Sequence, residues 1–123
     1  IVVSQEFLQK RADLAEKILM VLVDSLAYTL APQNKNVVTK TMMTRFHISD
    51  STVAEEGYQD LLVSVERKPF PSLDAMRNIR RLMAAQNPKA ANVKVEELID
   101  ARLIRKLDET GYIDKVAANY GIK

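Results

Sequence analysis

Apolar residues recur along most of this chain at intervals of three and four, the spacing that gathers side chains on one face of a helix. The longest such segment runs from near Gln5 to Ala31, with a break around Lys10-Arg11. Leu14, Ile18, Leu22 and Ser25 make one stripe along it, and Ala15, Leu19, Leu26 and Leu30 make the neighbouring one. Together they are wider than an ordinary amphipathic face, which predicts a helix buried on most sides. Pro32 ends it, because a proline ring has no N–H to give and clashes with the preceding turn. Ahead of the helix, Ile1-Val2-Val3 is β-branched and apolar and reads as the tail of a strand whose partners lie upstream. Ser4 is placed to cap the helix, and Glu6 suits the positive end of its dipole.

Four or more further helical segments follow. Asn34 to Phe46 carries Val37, Val38, Met42 and Phe46 toward the interior, and His47-Ile48-Ser49 connects it to the next segment. Asp50 or Ser51 caps a third helix with Val53, Ala54, Tyr58, Leu61 and Leu62 at helical spacing. Gly57 inside that helix costs about 1 kcal/mol relative to alanine, which a close packing contact would explain. Lys68-Pro69-Phe70-Pro71-Ser72 is a rigid elbow ending in a capping serine. Leu73, Met76, Ile79 and Met83 then form a stripe that Asn87-Pro88 stops. Residues 89–94 read as loop, Val95 to Ile99 as a helical turn, and Ala101 to Glu109 as a helix closed by Gly111. Tyr112 to Asn119 is the last helix, ended by Gly121. No internal repeat or low-complexity segment interrupts this order. The expected fold is all-α: one helical domain of five to seven helices over residues 1–123.

Composition narrows the picture. Hydrophobic residues make up 47% of the 123, enough for one core, while glycine (3) and proline (4) are scarce. The net charge of +2 lacks the basic excess expected of a nucleic-acid binder, so no nucleic-acid partner is expected, although such a balance is compatible with a local basic patch. The absence of cysteine excludes disulfides, a thiolate nucleophile and a thiolate zinc site. The longest apolar run, Ile18 to Val23, is far shorter than the roughly 20 residues that span a bilayer.

Candidate chemistry is thin. His47 is the only histidine and has no second histidine or cysteine to complete a metal set or a triad. Glu55-Glu56 and Glu96-Glu97 are adjacent pairs, whose members point in different directions on a helix and read as solvated. Arg77, Arg80 and Arg81 share a face by i, i+3 and i, i+4 spacing and suit a phosphate or an acidic partner, although a solvated face opposite the Leu73-Met83 stripe is the plainer reading. Met42-Met43, Met76 and Met83 fit core filling or an adaptable surface. No catalytic residue, no metal and no cofactor is expected.

The C-terminal half carries more specific strings: Lys68-Pro-Phe-Pro-Ser-Leu-Asp-Ala-Met, Asn87-Pro-Lys-Ala, Val95-Glu-Glu-Leu-Ile-Asp, and Leu103-Ile-Arg-Lys-Leu-Asp-Glu-Thr-Gly-Tyr-Ile-Asp114. In this order they resemble the C-terminal segment of the solute-binding proteins of nitrate, sulfonate and taurine-type ABC importers, a group that includes binders of thiamine pyrimidine precursors. The opening Val2-Val3-Ser4 with Phe7-Leu8 resembles the strand-to-helix exit ahead of those C-terminal helices. The resemblance implies a fragment of a two-lobed α/β periplasmic-binding-protein fold, located in the periplasm or otherwise outside the cytoplasm. It implies non-catalytic capture of a small molecule for a membrane permease. Such proteins are more than twice this length, and the parallel sheets with most ligand-contacting loops lie upstream. No ligand-binding residue is therefore assigned to this chain. The alternative expectation is a free-standing helical interaction or regulatory module. In the resembled architecture these helices pack on sheets that lie upstream, so the stripes from Leu14 to Leu30, left partly uncovered, predict a homodimer of this chain.

Overall fold

The computed structural model describes residues 1–122. The described residues form an all-α fold with no strand: seven α-helices and three short 3-10 turns. They are α1 (Gln5–Lys10), α2 (Ala12–Leu30), α3 (Lys35–Phe46), α4 (Ser51–Ser64), α5 (Leu73–Gln86), α6 (Arg102–Glu109) and α7 (Tyr112–Asn119). The 3-10 turns are Pro32–Asn34, Pro88–Asn92 and Val95–Leu98. Residues expected to form a loop at 89–94 therefore include a turn, started by Pro88, whose ring fixes φ for the first position.

The helix starts follow local chemistry. Ser4 accepts a hydrogen bond from Phe7 N at 3.1 Å, Asp50 from Thr52 N at 2.8 Å, and Ser72 from Ala75 N at 3.2 Å. Each supplies an acceptor for an amide that the first helical turn leaves without a partner. Arg11 is both the end of α1 and the start of α2. Its φ of −136° and ψ of 41° break the long first segment where the sequence suggests, although neither glycine nor proline sits there. Gly111 and Gly121 take the left-handed conformation, with φ of 73° and 70°, in which a side chain would be strained.

Helix α2 is the centre of the molecule. It packs against α6 and α7 on one side and α3 on another. Val23 and Ala27 of α2, Ile104 and Leu107 of α6, and Ile113 and Val116 of α7 close into the main core. Full burial of an aliphatic side chain of this size stabilises by about 1.5–3 kcal/mol. Helices α3 and α4 pack on each other, and Val38 of α3, Ala54 and Tyr58 of α4, and Ala31 after α2 are also buried. Tyr58 donates to the Thr29 carbonyl at 3.3 Å, tying α4 to the end of α2. Gly57 faces Met42: a Cβ at position 57 would lie 3.2 Å from Met42 Cε, so the glycine permits the close approach of α3 and α4.

Several inward assignments are corrected. On α2, Ile18, Val21 and Leu22 are exposed, and only Val23 and Ala27 are buried, so the helix is covered on one flank rather than on most sides. On α3, Val37 and Phe46 face solvent, whereas Val38 is buried and Met42 half-buried as expected. Val53 and Leu62 of α4 are likewise exposed. On α5, Ile79 and Met83 are exposed, while Leu73, Met76, Arg80 and Ala84 form the half-buried row. That row follows steps of three and four; it shares Leu73 and Met76 with the expected stripe and departs from it in the second half, where Arg80 and Ala84 take the places of Ile79 and Met83. The extended Ile1-Val2-Val3 is exposed and forms no strand.

Helix α5 packs mainly on the two 3-10 turns that follow it. Residues 72–98 thus form an arm with a minor core of Ala90 and Val95. The elbow leading into the arm is fastened by charge. Lys68 Nζ meets Asp108 at 2.5 Å and Asp114 at 3.4 Å, and Arg67 meets Asp114 at 2.8 Å. Asp108 bonding first, and Asp114 after it, hold the Lys68 ammonium above its ordinary pKa.

Candidate functional site

Two concave regions of the described residues differ in chemistry. The first is an open groove of about 520 Å³ between α2, α3 and α4, lined by Tyr28, Val38, Met42, Leu61 and Tyr120 among others. Tyr28 and Tyr120 meet edge to face, with ring centroids 5.9 Å apart and planes at 85°. The groove's serine and threonine hydroxyls serve their own helices. Ser25 donates to Val21 O at 2.8 Å, Thr29 to Ser25 O at 2.8 Å and Thr41 to Val37 O at 2.7 Å. Partial desolvation, and then the nearby Asp24 carboxylate, raise the Tyr120 phenol, which stays protonated at neutral pH. The groove therefore offers apolar surface with one carboxylate at its edge.

The second region is a cleft of about 390 Å³ on the arm, lined by Arg77, Asn78, Arg80, Arg81, Ala84 and Ala91. Helical spacing brings the three guanidinium groups together, and like charges at that spacing destabilise an isolated helix by about 0.2–0.5 kcal/mol per pair. Arg77 is fixed from two sides, by Glu96 at 2.9 Å and Asp74 at 3.2 Å. Glu96 bonding first keeps its guanidinium protonated more firmly than usual. Arg80 is half-buried and donates to the Val93 carbonyl at 3.1 Å, while Arg77 and Arg81 are exposed. Arg81 makes no ion pair or hydrogen bond among the described residues. Residues 69–98 hold five basic side chains (Arg77, Arg80, Arg81, Lys89, Lys94) against three acidic ones (Asp74, Glu96, Glu97). The rest of the sequence holds thirteen of each, so the whole formal excess of +2 resides in the arm. Composition alone hid this, because it averages over the chain.

The remaining sequence candidates stay apart. His47 ends α3 in the left-handed region at φ 55°, exposed to solvent. Glu55 pairs with Lys35 and accepts from Gln59 at 3.2 Å, and these bonds lower its pKa, Lys35 first. Glu96 is lowered by its own backbone amide and then by Arg77. Carboxyl groups shifted in this direction hold no proton to donate near neutral pH. Glu97 pairs with Lys94 at 3.2 Å. Met42 lies in the apolar groove, Met76 is half-buried on the arm, and Met83 is exposed. Among the described residues no three metal-ligating side chains converge, and no helix is long and apolar enough to cross a membrane.

No family model matches this chain, and no curated protein or solved structure matches it.

Proposed function

We propose that this chain is the helical C-terminal part of a solute-binding protein of the nitrate, sulfonate and taurine importer type. The intact protein captures a small molecule outside the cytoplasm and delivers it to a membrane permease. The helical part braces the two lobes on the hinge side and takes no part in bond chemistry. Hinge closure of this kind uses few residues, at the ends of elements.

The observation that carries the reading is the amount of apolar surface left uncovered on two helices. On α2, Ile18, Val21 and Leu22 are 39, 64 and 41% exposed; on α5, Ile79, Leu82 and Met83 are 48, 67 and 55% exposed. Contiguous apolar surface of this kind on a soluble molecule marks a face that meets something else. In the architecture resembled by the strings from Lys68 to Asp114, helices of this segment lie against α/β lobes. The test is to determine the complete reading frame, express its product and follow its export and ligand binding. Expected is a protein more than twice this length, recovered in osmotic-shock fluid, whose calorimetric titration shows binding of nitrate, a sulfonate or a pyrimidine. Residues 1–123 by themselves should show no binding at micromolar concentration. A complete product with no α/β portion sinks the reading.

A second reading, a free-standing helical interaction module, is favoured by the spacing of Ile18, Val21, Leu22 and Ser25 on one flank of α2. Two copies pairing through Leu14 to Leu30 would cover that flank. Light scattering separates the readings: a stable dimer of the complete product, lost in Leu22→Asp, supports the module.

A further inference from the structure

We propose that the arginine cleft of the arm binds a small tetrahedral oxyanion of the phosphate or sulfate class. Three features of the cleft point to it, and none depends on the function proposed above.

The first is charge. Arg77, Arg80 and Arg81 line one cleft, and only Asp74 and Glu96 approach them as ion-pair partners. One positive charge is left over; of the two lysines in that stretch, Lys94 is matched by Glu97 and Lys89 forms no ion pair among the described residues. The second is orientation. Two carboxylates clamp Arg77, and the Val93 carbonyl holds Arg80. Their guanidinium planes are set before a ligand arrives, so less side-chain freedom is lost on binding than for a mobile lysine. The Arg81 guanidinium makes no bond among the described residues. A planar guanidinium presents two parallel N–H groups, a match for two oxygens of one phosphate. The third is space. Ala84 and Ala91 line the same cleft, and their short side chains leave about 390 Å³ open beside the guanidinium groups.

The test is a phosphate titration of the protein at constant ionic strength, with chloride as the balancing anion, followed by NMR of the arginine Nε–Hε groups. Saturable shifts at Arg77, Arg80 and Arg81 are expected, half-complete on the order of 1 mM. Arg81→Gln should weaken binding at least about fivefold, as expected for loss of a charge-assisted bidentate contact. Circular dichroism checks that the variant keeps its helices. Arg102→Gln, which removes an exposed guanidinium already engaged by Asp100, should leave binding unchanged. Equal affinity for phosphate and phenyl phosphate assigns the site to the free ion. Tighter binding of phenyl phosphate assigns it to a phosphorylated small molecule. Linear shifts without saturation, equal binding by Arg81→Gln, or displacement of phosphate by an oligoglutamate peptide at far lower concentration would overturn the proposal.

Discussion

The bundle centred on α2 and the arm carrying α5 are both helical, yet different forces hold them. In the bundle, six side chains from three helices interlock: Val23, Ala27, Ile104, Leu107, Ile113 and Val116 are all nearly solvent-free. In the arm, only Ala90 and Val95 reach that state, and α5 itself buries no residue. Polar bonds stand in for the missing core: the Ser72 cap, the Arg77 clamp and the Arg80 bond to Val93. Apolar interlocking ties a region to global unfolding, because removing one piece leaves a cavity for the others. Exposed polar bonds exchange with water and hold a region only locally. The arm is thus expected to open while the bundle stays folded.

The largest effect should come from the bundle. Ile113 is 1% exposed, and Ile113→Ala should cost about 2–5 kcal/mol through lost burial and the cavity left behind. Leu82, at 67% exposure on the arm, should change stability by at most about 0.5 kcal/mol when replaced by alanine. Urea denaturation of the two variants measures both. Equal losses would erase the distinction between the regions.

Next is the arm's own core. Val95 is 1% exposed beside α5. Val95→Ala removes two methyl groups and should cost about 2 kcal/mol. Because the arm opens independently, the loss should appear in hydrogen exchange of the α5 amides and not in those of α2 or α7. A matching loss of protection in α7 would mean that the arm and the bundle unfold together.

The same contrast explains what could be read from the sequence. The helices were legible because caps, prolines and glycines act locally: Ser4, Asp50, Ser72, Pro32, Gly111 and Gly121 set boundaries whatever packs on the helix. Which face turns inward was less legible. Val37 and Val38 differ by only 100° of rotation, and tertiary packing rather than periodicity selected Val38. On α5 the row through Met76 and Arg80 won over Ile79 and Met83, since Arg80 can bury its stem while its head bonds to Val93. The spacing of Arg77, Arg80 and Arg81 was visible. Their convergence on a cleft also needed Ala91 from the turn after Pro88, a contact no helical period encodes.

A smaller effect concerns the elbow that joins the regions. Lys68 bridges Asp108 and Asp114 from α6 and α7, and all three side chains are partly solvated. The pairing is therefore screened by salt. Lys68→Met should speed exchange of the arm's amides modestly and remove most of its dependence on sodium chloride, with little change in the urea midpoint of the bundle. Unchanged salt dependence in the variant would shift the fastening to the apolar contacts of the elbow.

The smallest effect lies at the return from the arm to α6. Asp100 accepts from the Arg102 side chain at 2.6 Å and from its backbone amide at 3.0 Å. These bonds lower the Asp100 carboxyl from 3.8 to about 2, the side-chain bond contributing most and the backbone bond next. A carboxyl whose folded pKa lies below its unfolded value stabilises the fold fully above the unfolded pKa. That contribution is lost as pH falls through the folded one, here between 3.8 and about 2. Arg102 is 86% exposed, so water screens the pair and the stability change should be too small for a urea midpoint to resolve. A carbon-detected NMR titration reads it directly: Asp100 should titrate near 2. Arg102→Gln should move the midpoint back toward 3.8, though not fully, because the amide of residue 102 still donates. A wild-type midpoint at the ordinary aspartate value would mean that this turn is open in solution, and the boundary between bundle and arm would then lie inside α6 rather than before it.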